Sequence, residues 1–392
     1  MLWRPLRERA CGKAGMESDR ARRVTRRGFL MTAGGVAAAG SVAYVVGRGV
    51  TYSGSARVAA RSAPGGSAGL NAYAANVVPG GPGRDGIPAI DRPRFTPARP
   101  GLLADDDVVF GLVHAGQTRA YPQLILVWHE IVNDRFPDGP LSVTYCPLAG
   151  SVVGYRGRAP GGRPYTFGTT GELVNSSLLM YDRQTGSTWP QILGEAITGP
   201  ARGTSLEAVP LEWTTWGRWR SVHPDTAVLS TETGYLRPYG TDPYGSYRPL
   251  SGYYSDSDII FPVMARNDSF PAKEVFIAVS HRQAYVAARK QSLRDRGVLT
   301  AGAAGGPVTF LYDPALDDGG AFAPRAGAGP LRLAALAGRP GLYRDAVSGS
   351  VWDASGTAVS GPHRGAVLAR LPAFNVLWFV WYAFFPGTAV LP

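Results

Sequence analysis

Five residues in this chain have side chains and spacings that point to chemistry: Cys146, His129, Glu130, Met180 and Arg183. Cys146 closes the apolar run Val143-Thr144-Tyr145 and precedes Pro147 and the small-residue turn Leu148-Ala149-Gly150-Ser151. A thiol at a strand end, facing a glycine turn, is placed as many nucleophiles and metal ligands are; cysteine is also among the most buried side chains and serves elsewhere as a small hydrophobe. An imidazole beside it would take the thiol proton and leave a thiolate, which makes Cys146 and His129 a candidate nucleophile and base. Met180 would add a thioether to these two as a soft set for copper, and Arg183 offers a cation either to an anionic ligand or to a surface ion pair. The pair His129-Glu130 does not begin a zinc-protease HExxH motif, because Asn133 stands where the second histidine would be.

The elements that must position these residues are short. Val108 to Val113, Leu141 to Tyr145, Val152 to Tyr155, Tyr165 to Gly168, Ser177 to Tyr181 and Ala227 to Ser230 are apolar runs bounded by Gly, Pro and Asn, and they predict strands. Pro122 to Asp134 starts with a proline at a tolerated first-turn position and keeps Leu124, Val127, Trp128 and Ile131 on one face, which predicts a helix. On it, His129 with Asn133 and Glu130 with Asp134 would each share a side at a spacing of i to i+4. A second helix is predicted over Thr215 to His223, with Trp216 and Trp219 together on one side.

Several of these segments occur twice. GPLSVTYCP at Gly139 to Pro147 answers GPVTFLYDP at Gly306 to Pro314, and DRQTGSTW at Asp182 to Trp189 answers DAVSGSVW at Asp345 to Trp352. GEAITGP at Gly194 to Pro200 then answers GTAVSGP at Gly356 to Pro362, and HPDTAVL at His223 to Leu229 answers FPGTAVL at Phe385 to Leu391, so the offset drifts only from 167 to 162. A duplicated unit is the economical reading. Asp182 and Trp189 recur and are expected to hold a turn and fill a core, whereas Cys146 falls opposite Asp313 and marks the first copy as the seat of any chemistry. Trp378 and Trp381 repeat the tryptophan pair within Phe374 to Phe385, a run too short to cross a bilayer and therefore expected in the core.

The formal charge of +11 resembles a nucleic-acid signal, but residues 1 to 61 hold 12 Arg and Lys against 3 Asp and Glu, leaving about +2 for the remainder. No nucleic-acid partner is expected of a folded part that lacks clustered basic residues. The early charge reads as an export signal: Thr25-Arg26-Arg27-Gly28-Phe29-Leu30 fits the twin-arginine (Tat) pattern, and Phe29 to Gly47 is an uncharged stretch of 19 residues. Residues 1 to 15 add nothing to such a signal, so Met16 serves equally as a start. The protein is expected outside the cytoplasmic membrane, touching it through the N-terminal segment alone, which is either cleaved near Val58-Ala59-Ala60 or kept as an anchor. Cys11 precedes the signal, so the exported part has one cysteine and no internal disulfide.

The runs RAYPQLILVWHEIVND from Arg119, VTYCPLAGSVVGY from Val143, YTFGTTGELVNSSLLMYDRQTGSTWPQ from Tyr165, GEAITGP and HPDTAVLS together resemble the DUF3179 family, exported or membrane-associated proteins without an established activity. The resemblance covers roughly residues 105 to 390. Many members read YCPLCG where this chain has Tyr145 to Gly150, so Ala149 replaces the second cysteine of a CxxC; that counts against an obligatory dithiol or a two-thiolate metal site and leaves a one-cysteine site. The resemblance implies no substrate, and cofactor and metal stay open.

The expected fold is α+β and β-rich: two related lobes, 101–235 and 265–392, about a pseudo-twofold axis. They are joined by a Tyr/Gly/Pro-rich connector, 236–264, and preceded by a signal or anchor, 1–60, and a Pro/Gly-rich linker, 61–100. Three functions stand open: binding of a small ligand or cofactor around Cys146 with His129, Glu130, Met180 and Arg183 as neighbours; an enzyme using Cys146 as nucleophile and His129 as base; and a cell-envelope scaffold whose thiol is core.

Overall fold

A computed structural model describes residues 66–281, 284–303, 306–326 and 329–392. The twin-arginine segment lies outside the described residues. Within them the chain is β-rich, with helix confined to Gly66–Ala75, Gln123–Leu126, Trp216–Val222, Lys290–Arg296 and Trp378–Phe384. None of these helices is long and apolar enough to cross a membrane.

The N-terminal half holds three sheets. A five-stranded sheet runs in the order Glu212–Thr215, Val108–His114, Gln117–Pro122, Ala227–Leu229, Phe95–Pro97. A four-stranded sheet carries Gly139–Cys146 between Ile131–Phe136 and Ser151–Arg156, and another carries Ser177–Asp182 between Phe167–Val174 and Thr188–Pro190. Strand pairing in the C-terminal half follows the same plan. The hairpin Val275–His281/Ala284–Arg289 is flanked by Phe374–Leu377, antiparallel, and Ala389–Leu391, parallel. The hairpin Val108–His114/Gln117–Pro122 is flanked in the same two senses by Glu212–Thr215 and Ala227–Leu229. In each half a short helix follows the antiparallel flanking strand, and its second tryptophan donates from the indole to a threonine just beyond it: Trp219 to Thr226 at 3.0 Å and Trp381 to Thr388 at 2.8 Å.

The largest core runs across both halves, while the C-terminal half also has two clusters of its own. Trp378, Trp381 and Phe384 pack in one continuous cluster with Phe110, Tyr145 and Leu178 of the N-terminal sheets. The Tyr73 hydroxyl donates to the Phe384 carbonyl at 2.8 Å, and the Asn175 amide to Ala383 at 3.1 Å. Phe374 to Phe385 is thus buried as its composition requires, but between the halves. Its counterpart Trp216–Val222 buries only its tryptophan side and shows Arg218 to solvent, which accounts for the difference in hydropathy between the two helices.

Two sequence expectations are corrected. The helix over Pro122 to Asp134 is a single turn, Gln123–Leu126, followed by the strand Ile131–Phe136. Glu130 ends the turn with φ 59°, and its carbonyl accepts the Tyr145 N–H at 2.7 Å, so strand pairing outcompetes helix here. His129/Asn133 and Glu130/Asp134 consequently share no helix face. The segment expected as a linker is packed over its described part: Leu70, Tyr73, Ile87, Ala89 and Ile90 are buried, and Val78–Pro79 and Phe95–Pro97 add strands to the N-terminal sheets. Its few apolar residues are all used, which the surrounding glycine and proline conceal.

Candidate functional site

Cys146 ends the central strand of its sheet, as its sequence predicts, but it is only 1% exposed. Its Sγ accepts the Leu178 N–H at 3.4 Å from the adjoining sheet. Around it the same strand end is tied by Gln191, whose amide donates to the Thr144 carbonyl at 3.1 Å and whose oxygen accepts from Ser151 at 2.7 Å. In the C-terminal half the carboxylate of Asp313, less buried, accepts the Ala315 N–H at 2.8 Å and the Leu316 N–H at 3.4 Å. Both side chains therefore accept backbone amides, and the fully buried position holds the thiol, a group less costly to desolvate than a carboxylate.

His129 is brought to other partners. Its Nδ1 lies 2.7 Å from the Pro88 carbonyl and its Nε2 2.7 Å from the Tyr239 hydroxyl. A carbonyl only accepts, so Nδ1 carries the proton and Nε2 accepts from Tyr239. Burial pushes the imidazole down to about 4, outweighing the Pro88 hydrogen bond, and both nitrogens are engaged. The imidazole therefore has no nitrogen left for the thiol. Arg183 forms an ion pair with Asp91 at 2.5 Å, Met180 is fully buried opposite Trp189, and Glu130 is 1% exposed. The five candidates all lie in the N-terminal half. Among the described residues no group of three or more His, Cys, Asp or Glu is placed to hold a metal.

Of two seats that the geometry offers among the described residues, one, about 540 Å³, is on the surface of the C-terminal half around Leu336 and Arg344; the other lies at the junction of the halves, a cleft of about 480 Å³. Its floor includes Gly150, which belongs to the turn after Cys146, and Leu377, whose side chain rests where a Cβ on Gly150 would be, 2.8 Å away. One wall is the Trp213 strand end, another is the hairpin Gly245–Tyr247/Leu250–Gly252, and the helix Lys290–Arg296 supplies the third. Four cations face it: Arg218, Arg248, Lys290 and Arg294. Lys290 is held by Asp318 at 2.9 Å and by the Asn375 amide oxygen at 3.0 Å. Arg294 grips Asp317 with both arms of its fork, at 2.9 Å and 2.8 Å. Burial would raise the Asp317 carboxyl, but the Tyr312 hydroxyl and Arg294 hold it below the usual carboxylate range. Arg218 donates to the Pro314 and Ala315 carbonyls at 2.8 Å and 3.2 Å. The Arg248 guanidinium has no hydrogen-bond or ion-pair partner among the described residues.

The hairpin that carries Arg248 is moored at its base. Asp242, pushed up by burial, accepts from the Gln123 amide, the Tyr254 hydroxyl and the Tyr244 N–H, each at 2.7 Å. The Tyr247 and Tyr254 rings stack at 3.8 Å, and the Tyr145 hydroxyl lies 3.3 Å from that of Tyr247. The aromatic connector of the sequence therefore packs over the Cys146 strand end and forms a cleft wall. Sequence reasoning noticed this segment but singled out none of its residues; Arg248 sits amid turn residues, and Trp213, Lys290 and Arg294 join it only through long-range folding.

A family model described as a protein of unknown function, DUF3179, matches residues 84–388. The chain belongs to the DUF3179 family. No curated protein and no solved structure matches it. The DUF3179 match begins within the packed N-terminal extension and ends beyond the helix Trp378–Phe384, so it spans both walls of the cleft as well as the Cys146 turn.

Two outcomes follow for this DUF3179 chain. Cys146 is expected to react with an aromatic disulfide only after unfolding, and Cys146→Ser, which places a hydroxyl among apolar neighbours, should cost about 1 to 3 kcal/mol in urea unfolding. A thiol that titrates in the native protein, with no stability lost in the variant, would refute the structural role. His129 is lowered from 6.5 to about 4, so the unfolded chain binds the proton first. Its contribution is complete above its ordinary value and drains away as pH falls from 6.5 toward 4. Between pH 7.5 and pH 5 the wild type should lose about 2 kcal/mol more than His129→Gln. Parallel pH profiles for the two proteins would contradict this.

Proposed function

We propose that this DUF3179 protein binds a small molecule outside the cytoplasmic membrane, in the cleft where two lobes derived from one duplicated unit meet. The observation that carries the reading is Arg248, whose guanidinium has no partner among the described residues and which lines a concave space of about 480 Å³. That size lies in the ordinary range for small-ligand sites, and such sites favour boundaries between folding units. The four ordered motif pairs, the matching strand pairing and the two indole-to-threonine bonds support the duplication, with lobes over 101–235 and 265–392 and a connector over 236–264. In this reading Cys146 is structural. It fixes the turn whose Gly150 lines the seat, so the first-lobe strand end belongs to the site without the thiol reacting.

Export rests on the sequence, in Arg26-Arg27 and the uncharged stretch after them. Replacing both arginines by lysine should leave the protein in the cytoplasm, by cell fractionation; unchanged export would set the Tat route aside. The cleft is tested by thermal unfolding against a metabolite library. A ligand at 100 times its Kd stabilises by about 2.7 kcal/mol, a shift of a few degrees. Leu250 is an exposed side chain on the cleft wall, so Leu250→Trp should fill the space and abolish the shift without disturbing the core. A library that stabilises neither protein, or both equally, would overturn the reading.

A further inference from the structure

The charges around the cleft and the shape of its walls narrow the occupant. Arg294 and Lys290 are each already met by a carboxylate, Asp317 and Asp318. Arg218 has donors satisfied by two main-chain carbonyls, which leave its charge uncompensated. Arg248 has neither charge nor donors satisfied among the described residues. Four cations against two carboxylates leave two positive charges, one of them on the unpartnered guanidinium of the lining residue Arg248. A planar fork matches a carboxylate or a phosphate through two parallel hydrogen bonds, so the choice between them falls to the remaining walls.

The remaining walls are not those of an inorganic anion site. Trp213 and Tyr247 meet edge to face with centroids 5.3 Å apart, and Leu316 and Leu377 lie on the other sides of the same space. An anion alone would leave this apolar surface in contact with water, whereas a flat organic body would cover it. The arm bearing Arg248 is fixed where it leaves the body of the protein: Asp242 is held by three donors, the Tyr253 hydroxyl donates to the Leu148 carbonyl at 2.8 Å, and Lys273 donates to the Tyr253 carbonyl at 2.5 Å. Its tip, Arg248-Pro249-Leu250, is exposed. The guanidinium is thus delivered from a rigid base to the open side of the cleft, over a seat whose inner wall is aromatic.

We propose that the ligand is a small organic carboxylate with a flat apolar body, its carboxylate on Arg248 and its body against Trp213 and Tyr247. The inference rests on the reading of the cleft as a ligand seat and adds the class of molecule. Arg248 makes no side-chain bond, so Arg248→Gln should fold as the wild type does, with the urea midpoint as the check.

Calorimetric titrations of the full exported protein with benzoate, its neutral analogue benzamide, and inorganic phosphate, in wild type and Arg248→Gln, separate the contributions. The expected result is that benzoate binds, that benzamide and phosphate each bind at least about tenfold more weakly, and that Arg248→Gln loses about tenfold or more toward benzoate alone, as the loss of a charge-assisted hydrogen bond predicts. Equal binding of benzamide, or benzoate binding unchanged in Arg248→Gln, would overturn the carboxylate assignment; phosphate binding as tight as benzoate would overturn the flat body. If benzoate is silent while a library compound stabilises the wild type and not Leu250→Trp, the class is wrong and the seat stands. If the library is silent as well, the seat falls with it.

Discussion

The turn Pro147 to Gly150 is the joint on which both halves and the connector hang. The Ala149 carbonyl accepts the Leu377 N–H at 2.9 Å, which ties the N-terminal sheets to the strand Phe374–Leu377. The Leu148 carbonyl takes the Tyr253 hydroxyl and so holds the connector. Gly150, at φ 54°, leaves the space that the Leu377 side chain fills. A side chain there would both strain the backbone and push the halves apart. The small residues around Cys146, which resemble the surroundings of a reactive thiol, are explained sterically by this close approach.

This joint also explains what was legible in the sequence and what was not. The short strands were readable because Gly, Pro and Asn bound each apolar run, and the run containing Cys146 was placed within two residues of its observed start. The buried recurrence of Trp189 and Trp352 was readable because the turn they close is local, with Asp182 and Asp345 each accepting from a backbone N–H three residues on. The segment after Pro122 was misread because Leu124, Val127, Trp128 and Ile131 fit a helical period. The force that breaks that period comes from Tyr145 across the sheet, and no local pattern records it. The cleft was invisible for the same reason. Its residues come from strand ends, a hairpin and a helix separated by more than 200 positions, from Val108 to Leu377.

Neutralisation holds one buried carboxylate in each half. Asp318, 1% exposed, is met by Lys290, by the Asn375 amide and by the Trp213 N–H at 2.6 Å, a seam that binds the Trp213 strand to the C-terminal sheets. Asp134, 5% exposed, lies against Arg119 and the Tyr121 hydroxyl. Removing one member of such a set leaves a charge stranded in low dielectric, so these groups fix the alignment of the strands that carry them. Arg248 departs from that pattern only because it stands in water at the rim.

The bond from Tyr73 to the Phe384 carbonyl spans 311 residues and joins the first described helix to the last. A chain closed in this way cannot mature stepwise as it leaves the ribosome: the N-terminal sheets lack part of their core until the final segment has been synthesised. Until then Tyr73, Tyr145 and Leu178 would expose apolar surface, the condition in which nascent proteins need protection from aggregation. The order in which the last helix seals the first sheets therefore bears on when the molecule can fold as much as on how it holds together.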